Sequence, residues 1–215
     1  MSRKYKLLIF DWDGTLSNSV SRIAHCIQVA AKENGQKIPS FDEAADIIGL
    51  GLIEAVSQLF PQADEQLVNK ITASYSAYYR IKDSGPIDFF PSVIDTLNQL
   101  KASGYYIAVA TGKSRAGLDR VFKSSDIEDL FHSSRCASET ASKPDPLMLT
   151  ELLAEFDMQA NQALMVGDTE YDMDMAQCIN MPRLGVSYGA HHQSRLEKYN
   201  PIACIDCFSH IINYI

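Results

Sequence analysis

The chain has 215 residues, of which 46% are hydrophobic, and its formal net charge is −8. This length suffices for one large α/β domain or for a core domain that carries a smaller insert. The chain is acidic overall and lacks the basic stripe that nucleic-acid binding requires, so we expect no nucleic-acid partner. No apolar run is long enough to cross a membrane, so we expect no membrane partner either. The N-terminus has no signal-peptide pattern, which predicts a cytoplasmic location.

The first predicted element is a buried strand at residues 5–10, apolar on both faces as in a sheet that helices cover on each side. Helical patterns follow at residues 19–33, 41–48, 53–60 and 64–81. A run of helices inside an alternating pattern indicates an inserted subdomain. We therefore predict an α/β core domain at residues 1–16 and 87–215 and an all-helical cap at residues 17–86. The alternative is one long crossover whose helices pack on the sheet.

Strands and helices alternate after Pro91. Strands are predicted at residues 106–110, 163–166, 183–186 and 202–205, with a weak strand within 129–136. Helices are predicted at residues 92–103, 114–122, 147–156 and 171–178, with a short helix at the C-terminus. This alternation favours a doubly wound parallel sheet. Residues 187–199 are predicted to form a polar loop in which His191 and His192 are solvated, and contact with a substrate or an adventitious metal is the alternative.

The loop at residues 11–16, DWDGTL, begins where the first strand ends. Ligands of an open parallel sheet bind at the carboxyl ends of its strands. The carboxylate of Asp11 can attack phosphorus there, and Asp13 can protonate a leaving oxygen and later activate water. Gly14 permits a tight turn whose amide hydrogens can approach phosphate oxygens. The alternative is an ordinary turn or helix N-cap.

Two further segments can bind a phosphoryl group. Thr111 and Gly112 follow the second apolar strand, where a hydroxyl and turn amides can bind a phosphoryl oxygen or can simply cap a helix. Lys143 precedes a proline, which favours an extended backbone, and can offset the charge of the nucleophile and the phosphate. An exposed surface lysine is the alternative for Lys143.

A second acidic segment follows the strand at residues 163–166. Asp168 stands at the tip of that strand, and Asp172 lies one helical turn further on, so both can face the same side. A few carboxylates together with waters and substrate oxygens are typical of a Mg²⁺ site. The alternative is an acidic N-cap that the helix dipole stabilises.

These segments together resemble the motifs of the haloacid dehalogenase superfamily of phosphohydrolases, in the same order and over nearly the whole chain. The block at residues 17–86 resembles the small cap that this family carries after its first motif. The resemblance is strongest to the phosphoglycolate-phosphatase-like subgroup, through residues 143–146 (KPDP) and 186–189 (VSYG). Trp12 departs from the smaller apolar residue that the family more often has, but its backbone amide can still serve.

The resemblance implies a magnesium-dependent phosphatase that acts on a small phosphorylated metabolite, with phosphoglycolate as a candidate. In that case Asp11 is the nucleophile and a metal ligand, and Asp13 is the acid and base and ligates the metal through its backbone carbonyl. Asp168 ligates the metal and Asp172 supports it. The implied phosphate-binding residues are Asp11, Trp12, Asp13, Thr111, Gly112 and Lys143.

Other functions stay open on the sequence alone. One alternative is a phosphosugar mutase, since such enzymes resemble this chain in scaffold. The Thr15-Leu16 ending of the first motif looks more like that of the phosphatases. A dehalogenase fits poorly because Asp13 is present. An inactive phosphate-binding module would lack the nucleophile, the acid or the lysine, and none is missing. The chain is expected to be a monomer or a homodimer.

Several side chains have ordinary interpretations. Cys204 and Cys207 form a C-x-x-C pair, but no second ligand pair accompanies it, so two small apolar side chains are more consistent than a redox or zinc site. Tyr75, Tyr78 and Tyr79 can line a pocket of the cap, but the helical spacing favours packing of Tyr75 and Tyr78 in the cap core, with Tyr79 off that stripe. Lys113 and Arg115 are either contacts for substrate charge or surface residues.

Overall fold

The computed structural model of the protein describes residues 4–82, 87–125 and 127–215. These residues form a six-stranded sheet in the order β3-β2-β1-β4-β5-β6, and every pair of neighbouring strands is parallel. The strands are β1 (Leu7–Phe10), β2 (Tyr106–Thr111), β3 (Ser133–Cys136), β4 (Ala163–Gly167), β5 (Arg183–Val186) and β6 (Cys204–Ile205). The predicted doubly wound parallel sheet is therefore confirmed.

Helices occupy the chain between β1 and β2. They are α1 (Val20–Glu33), α2 (Phe41–Asp46), α3 (Leu52–Leu59), α4 (Glu65–Lys82) and α5 (Val93–Ala102). The first four share an apolar cluster that includes Ile27, Val56 and Ile71, all fully buried. The boundary of the cap domain at residues 17–86 stays a prediction, and its last residues, 83–86, lie outside the described residues.

The remaining helices alternate with the strands of the core. They are α6 (Arg115–Ser125), α7 (Leu147–Glu155), α8 (Glu170–Cys178) and α9 (Gln193–Leu196), with 3₁₀ turns at Glu128–Leu130, Ala160–Gln162, Glu197–Tyr199 and Phe208–Asn213. Because successive side chains of a strand point to opposite faces, β1 contributes to two apolar layers. Leu8 and Phe10 pack in the layer of α5 and α6, whereas Leu7 and Ile9 pack in the layer of α7 and α8.

The predicted polar loop at residues 187–199 is wrong in part, because α9 lies within it. The side chain of His192 accepts from the backbone N of Ser194 and so caps this helix, and Leu196 is fully buried. The last strand is also shorter than predicted and covers only Cys204–Ile205. Within the described residues, no helix combines the length and the hydropathy that crossing a bilayer requires.

Candidate active site

Three neighbouring strands bring the predicted strand-end residues together. Strand β1 lies between β2 and β4, with Phe10 opposite Val109 and Val166. Asp11 therefore follows β1 beside Thr111, the last residue of β2, and beside Asp168, which follows β4. All three side chains are buried. The carboxyl end of the sheet thus carries a buried polar cluster, as the parallel arrangement predicts.

Lys143 supplies the positive charge of this cluster. It lies between β3 and α7 and is only 1% exposed. Its Nζ is 2.6 Å from Oδ1 of Asp11 and 2.7 Å from Oδ1 of Asp172. Burial disfavours the charge of Lys143, but the two carboxylates outweigh burial and raise the pKa of its ammonium group. Lys143 is therefore a buried ammonium and not an exposed surface lysine.

The carboxylates outnumber the ammonium group. One oxygen from each of Asp11, Asp168 and Asp172 lies within 4.8 Å of the others. Burial raises the pKa of Asp11 well above its usual range, because the nearby charges of Asp172 and Asp168 add to burial while Lys143 only partly offsets it. Burial, with the charge of Asp172, likewise raises the pKa of Asp168 to about 7. The cluster is short of positive charge.

The donor set fits a hard divalent cation. Oδ2 of Asp11 is buried and has no hydrogen-bond donor among the described residues. Oδ1 and Oδ2 of Asp168 each accept one bond, at 2.7 Å, from Oγ1 of Thr15 and the backbone N of Ala190. A carboxylate oxygen can accept more than one partner, so both aspartates keep capacity for a cation. Hard cations of the Mg²⁺ type bind to such oxygens.

Asp172 is held more completely than the other two carboxylates. Its Oδ2 accepts from the backbone N and the hydroxyl of Thr169, at 3.0 and 2.7 Å, and its Oδ1 contacts Lys143. The hydroxyl of Thr169 in turn accepts from the backbone N of Asp172, which completes a capping box at the start of α8. Asp172 therefore fixes the position of Lys143.

Gly14 allows the acidic loop to approach Asp168. Its φ is +85°, in the left-handed region that a side chain rarely adopts. A Cβ atom at this position would lie 2.1 Å from Oδ2 of Asp168. The loop after β1 and the loop after β4 can therefore meet only because residue 14 has no side chain.

Asp13 contacts the cap side of the site. Its Oδ1 accepts from the hydroxyl of Ser19 at 2.6 Å, and its Oδ2 is 3.0 Å from Nζ of Lys113. Nζ of Lys113 also donates to the hydroxyl of Tyr79 at 3.2 Å and lies 4.8 Å from the centre of that ring. Lys113 is thus an ion-pair partner of Asp13 and not a free surface residue. The prediction that Tyr79 lies off the packed stripe is wrong, since Tyr79 is buried.

The remaining predicted phosphate-binding residues are near the same edge. Thr111 is buried, and its hydroxyl accepts from the backbone N of Lys113 at 3.2 Å. A Cβ atom on Gly112 would lie 2.3 Å from the carbonyl oxygen of Leu50, so Gly112 lets the cap approach β2. The Trp12 side chain packs in the core, with its ring 5.7 Å from that of Phe122. Binding through the Trp12 amide stays a prediction.

A second set of cap contacts was not predicted from the sequence. Asp46, at the end of α2, forms an ion pair with Arg195 of α9, and its carbonyl oxygen accepts from the hydroxyl of Tyr171 at 3.0 Å. Nε2 of His191 lies 3.0 Å from the same oxygen, and Nδ1 of His191 accepts from the backbone N of Glu170. The prediction that His191 is solvated is therefore wrong, because this side chain is buried between cap and core. No local pattern in the sequence connects Asp46 with residues so distant in the chain.

A cavity of about 360 Å³ lies between the cap and the core. Asp11, Asp13 and Thr111 line its core side, and residues of α1, α3 and α4 line its cap side. A reacting group bound at the strand ends would therefore extend into this cavity.

The parallel sheet, the acidic strand ends, the buried lysine and the helices between the first two strands define a class of α/β proteins with a helical block after β1. A family model described as haloacid dehalogenase-like hydrolase matches residues 8–186. The match covers most of the chain, so the protein belongs to the haloacid dehalogenase-like hydrolases.

Individual relatives agree with this assignment. The chain is 28% identical to a phosphoglycolate phosphatase of Aliivibrio fischeri, over 99% of this chain and 97% of that protein. It is 31% identical to the probable phosphatase IndB of Dickeya dadantii, over 96% and 91%. The crystal structure of a predicted phosphoglycolate phosphatase from Haemophilus somnus superposes with a TM-score of 0.87 at 27% identity, over 99% of this chain and 98% of that one. The predicted family, its phosphoglycolate-phosphatase-like subgroup and the class of phosphoric monoester hydrolases are confirmed.

Proposed function

We propose that the protein is a magnesium-dependent phosphatase that hydrolyses a small phosphomonoester through an aspartyl-phosphate on Asp11. The observation that carries the proposal is the environment of Asp11. Its carboxylate is buried at a strand end, its Oδ2 has no donor among the described residues, and Oδ1 is 2.6 Å from a buried ammonium group. A carboxylate held in this way is pre-positioned as a nucleophile.

The proposed reaction has two steps. An oxygen of Asp11 attacks phosphorus and the bond from phosphorus to the ester oxygen breaks, while protonated Asp13 gives its proton to that leaving oxygen. A water molecule then attacks the same phosphorus, Asp13 takes a proton from the water, and the bond between Asp11 and phosphorus breaks. Both aspartates line the cavity, which supports their action on one bound ester.

Positive charge and amide donors would hold the transferred group. Lys143 would contact the phosphoryl oxygens from its site between Asp11 and Asp172, and Thr111 with the amides of Trp12 and Gly112 would add hydrogen bonds. Such contacts stabilise charge that develops during transfer.

The side chains of Asp11 and Asp168 and the backbone carbonyl of Asp13 would hold the Mg²⁺ ion, with Asp172 in support. When bound, the ion neutralises charge on the phosphoryl group and on the carboxylates. The shortage of positive charge among the buried aspartates supports this assignment.

The helical block at residues 17–86 is proposed to act as the cap that excludes water during transfer. Phosphoglycolate enters as a candidate substrate because several relatives carry that activity in their names. We expect the protein to be a monomer or a homodimer, and we expect it to be located in the cytoplasm.

The test is phosphate release from p-nitrophenyl phosphate with and without Mg²⁺. We expect Asp11→Asn to abolish release, whereas the exposed Asp95→Asn, a matched control, retains it. Acid quenching of the wild-type reaction should leave a phosphorylated peptide that contains Asp11, detected by mass spectrometry. Full activity in Asp11→Asn would contradict the nucleophile. Transfer to an added sugar phosphate in place of water would favour the mutase, and no turnover of any ester would favour the binding module.

A further inference from the structure

The cavity between cap and core has mostly apolar walls on its cap side. Side chains from three separate parts of the cap line it: Ile23, Ile27, Ile47, Ile48, Leu52 and Ala55. Ile23 and Ile27 are spaced by one turn of α1, and Leu52 and Ala55 are close to one turn apart on α3, so each helix presents one apolar face to the cavity. The ring of Tyr75 adds to this surface.

The two carboxylates that line the cavity lie where the reaction would occur. Asp11, Asp13 and Thr111 are strand-end residues that the proposed phosphoryl transfer already uses. Lys113 also lines the cavity, but its ammonium contacts Asp13 and Tyr79. The part of a substrate that extends beyond the phosphoryl group would therefore meet apolar side chains over most of its surface.

The other cations on the wall belong to arginines. Among the described residues, Arg80 and Arg120 join Lys113 as the basic side chains that line the cavity. Arg80 is exposed, and its Nε donates to the carbonyl oxygen of Ser76 at 3.2 Å. Arg120 is half-buried on α6. No buried arginine or lysine stands among the isoleucines of the described cap, where a short acidic leaving group would require one.

The volume of the cavity also exceeds what a two-carbon acid occupies. At about 360 Å³ it falls within the range of pockets that bind small organic molecules, roughly 300–1,000 Å³. A glycolate group would leave much of the apolar wall in contact with water. A longer apolar group would displace that water, and burial of each methylene is favourable.

We propose that the preferred substrate is a phosphomonoester of an apolar alcohol, whose hydrocarbon body fills this cavity, and that phosphoglycolate is a poorer substrate. The inference rests on the proposed phosphatase function and names the substrate class of the same site. The isoleucines of the cap bind the leaving group, and the strand ends of the core bind the phosphoryl group.

A series of n-alkyl phosphates from ethyl to hexyl tests this proposal, because the leaving alcohols differ in length and hardly in chemical reactivity. We expect kcat/KM to increase by about three- to fourfold for each added methylene until the cavity is filled. Phosphoglycolate, assayed beside them, should have a lower kcat/KM than butyl phosphate. Inorganic phosphate release in the presence of Mg²⁺ is the readout for every ester.

Adjacent residues of α3 provide a matched pair of variants. Leu52 lines the cavity, whereas Ile53 is 57% exposed and does not line it. Leu52→Ala should reduce the increase in kcat/KM per methylene, because the shorter side chain contacts the hydrocarbon body of the ester less. Ile53→Ala should preserve the whole series. Thermal unfolding of both variants establishes that each is folded under the assay conditions.

The outcomes separate this inference from the proposed function. If no ester in the series releases phosphate and p-nitrophenyl phosphate is also inert, the phosphatase function itself fails. If phosphate is released but kcat/KM is independent of chain length, or phosphoglycolate exceeds every alkyl ester, the apolar substrate class is overturned while the phosphatase stands. An equal loss for long esters in Leu52→Ala and Ile53→Ala would also overturn it.

Discussion

Replacing Asp168 by asparagine should stabilise the metal-free protein at neutral pH. In the folded protein, burial and the charge of Asp172 raise the pKa of Asp168 to about 7, whereas an unfolded aspartate has a pKa of about 3.9. The folded state therefore binds more protons between these values. The free energy of unfolding falls as the pH rises through this window and stays low above it.

The size of the effect follows from the two pKa values. The raised pKa of Asp168 lowers the free energy of unfolding by about 4 kcal/mol at pH 8 and by about 1 to 2 kcal/mol at pH 5. Asparagine has the shape of the neutral carboxyl group. Its oxygen can accept from the backbone N of Ala190, and its amide can donate to the hydroxyl of Thr15, so both hydrogen bonds can be kept. We therefore expect the free energy of unfolding of Asp168→Asn to exceed that of the wild type by most of these amounts.

The measurement is urea unfolding in EDTA at several pH values from 5 to 8. The difference between Asp168→Asn and the wild type should grow as the pH rises, which separates this group from all others that titrate. The exposed Asp95→Asn is the control and should stay within about 0.5 kcal/mol of the wild type. A variant no more stable than the wild type at pH 8, or a difference that does not change with pH, would show that folding does not raise the pKa of Asp168.

Further predictions concern the lysine, the cap contact and the cation. Lys143→Met should lower the free energy of unfolding by about 3–5 kcal/mol, because it leaves buried carboxylates without their partner; an unchanged urea midpoint would contradict this. Arg195→Gln removes the ion pair with the Asp46 carboxylate and should accelerate amide exchange in α2, with a global loss of stability below about 1 kcal/mol. Unaltered exchange would show that this ion pair is unimportant. Mg²⁺ at 100 times its Kd should stabilise the protein by about 2.7 kcal/mol in thermal unfolding. Asp11→Asn should lose that shift, and its retention would place the cation elsewhere.

The strand ends were predictable because parallel strands align their carboxyl ends, whatever packs around them. Asp11, Thr111 and Asp168 each follow or end an apolar run, and the sheet places those runs side by side. Lys143 was assigned through the family resemblance, since its sequence alone is also that of a surface lysine. Its burial between two carboxylates depends on the position of α8, which no local pattern specifies.

Local sequence patterns do not predict the contacts between the cap and the core. The ion pair of Lys113 with Asp13, the burial of Tyr79 and the buried His191 all arise from how the helical block sits on the sheet. Helical periodicity tells which residues share a face but not which partner covers it. The helix α9 has only four residues, too few to produce a periodic pattern, so its place within a polar stretch was not detected.

The position of β1 at the centre of the sheet has a consequence for biosynthesis. Leu7 pairs with Tyr106 on one side and with Ala163 on the other, so β1 is translated well before either of its two neighbours. At a synthesis rate of about 5–20 residues per second, β1 waits on the order of 5 to 20 seconds for its first partner. During that interval its apolar residues are available to chaperones, and the cap helices are translated before any strand can pair with β1. The residue proposed to attack phosphorus is thus made early, and the nascent chain acquires the surroundings of Asp11 only when β4 arrives.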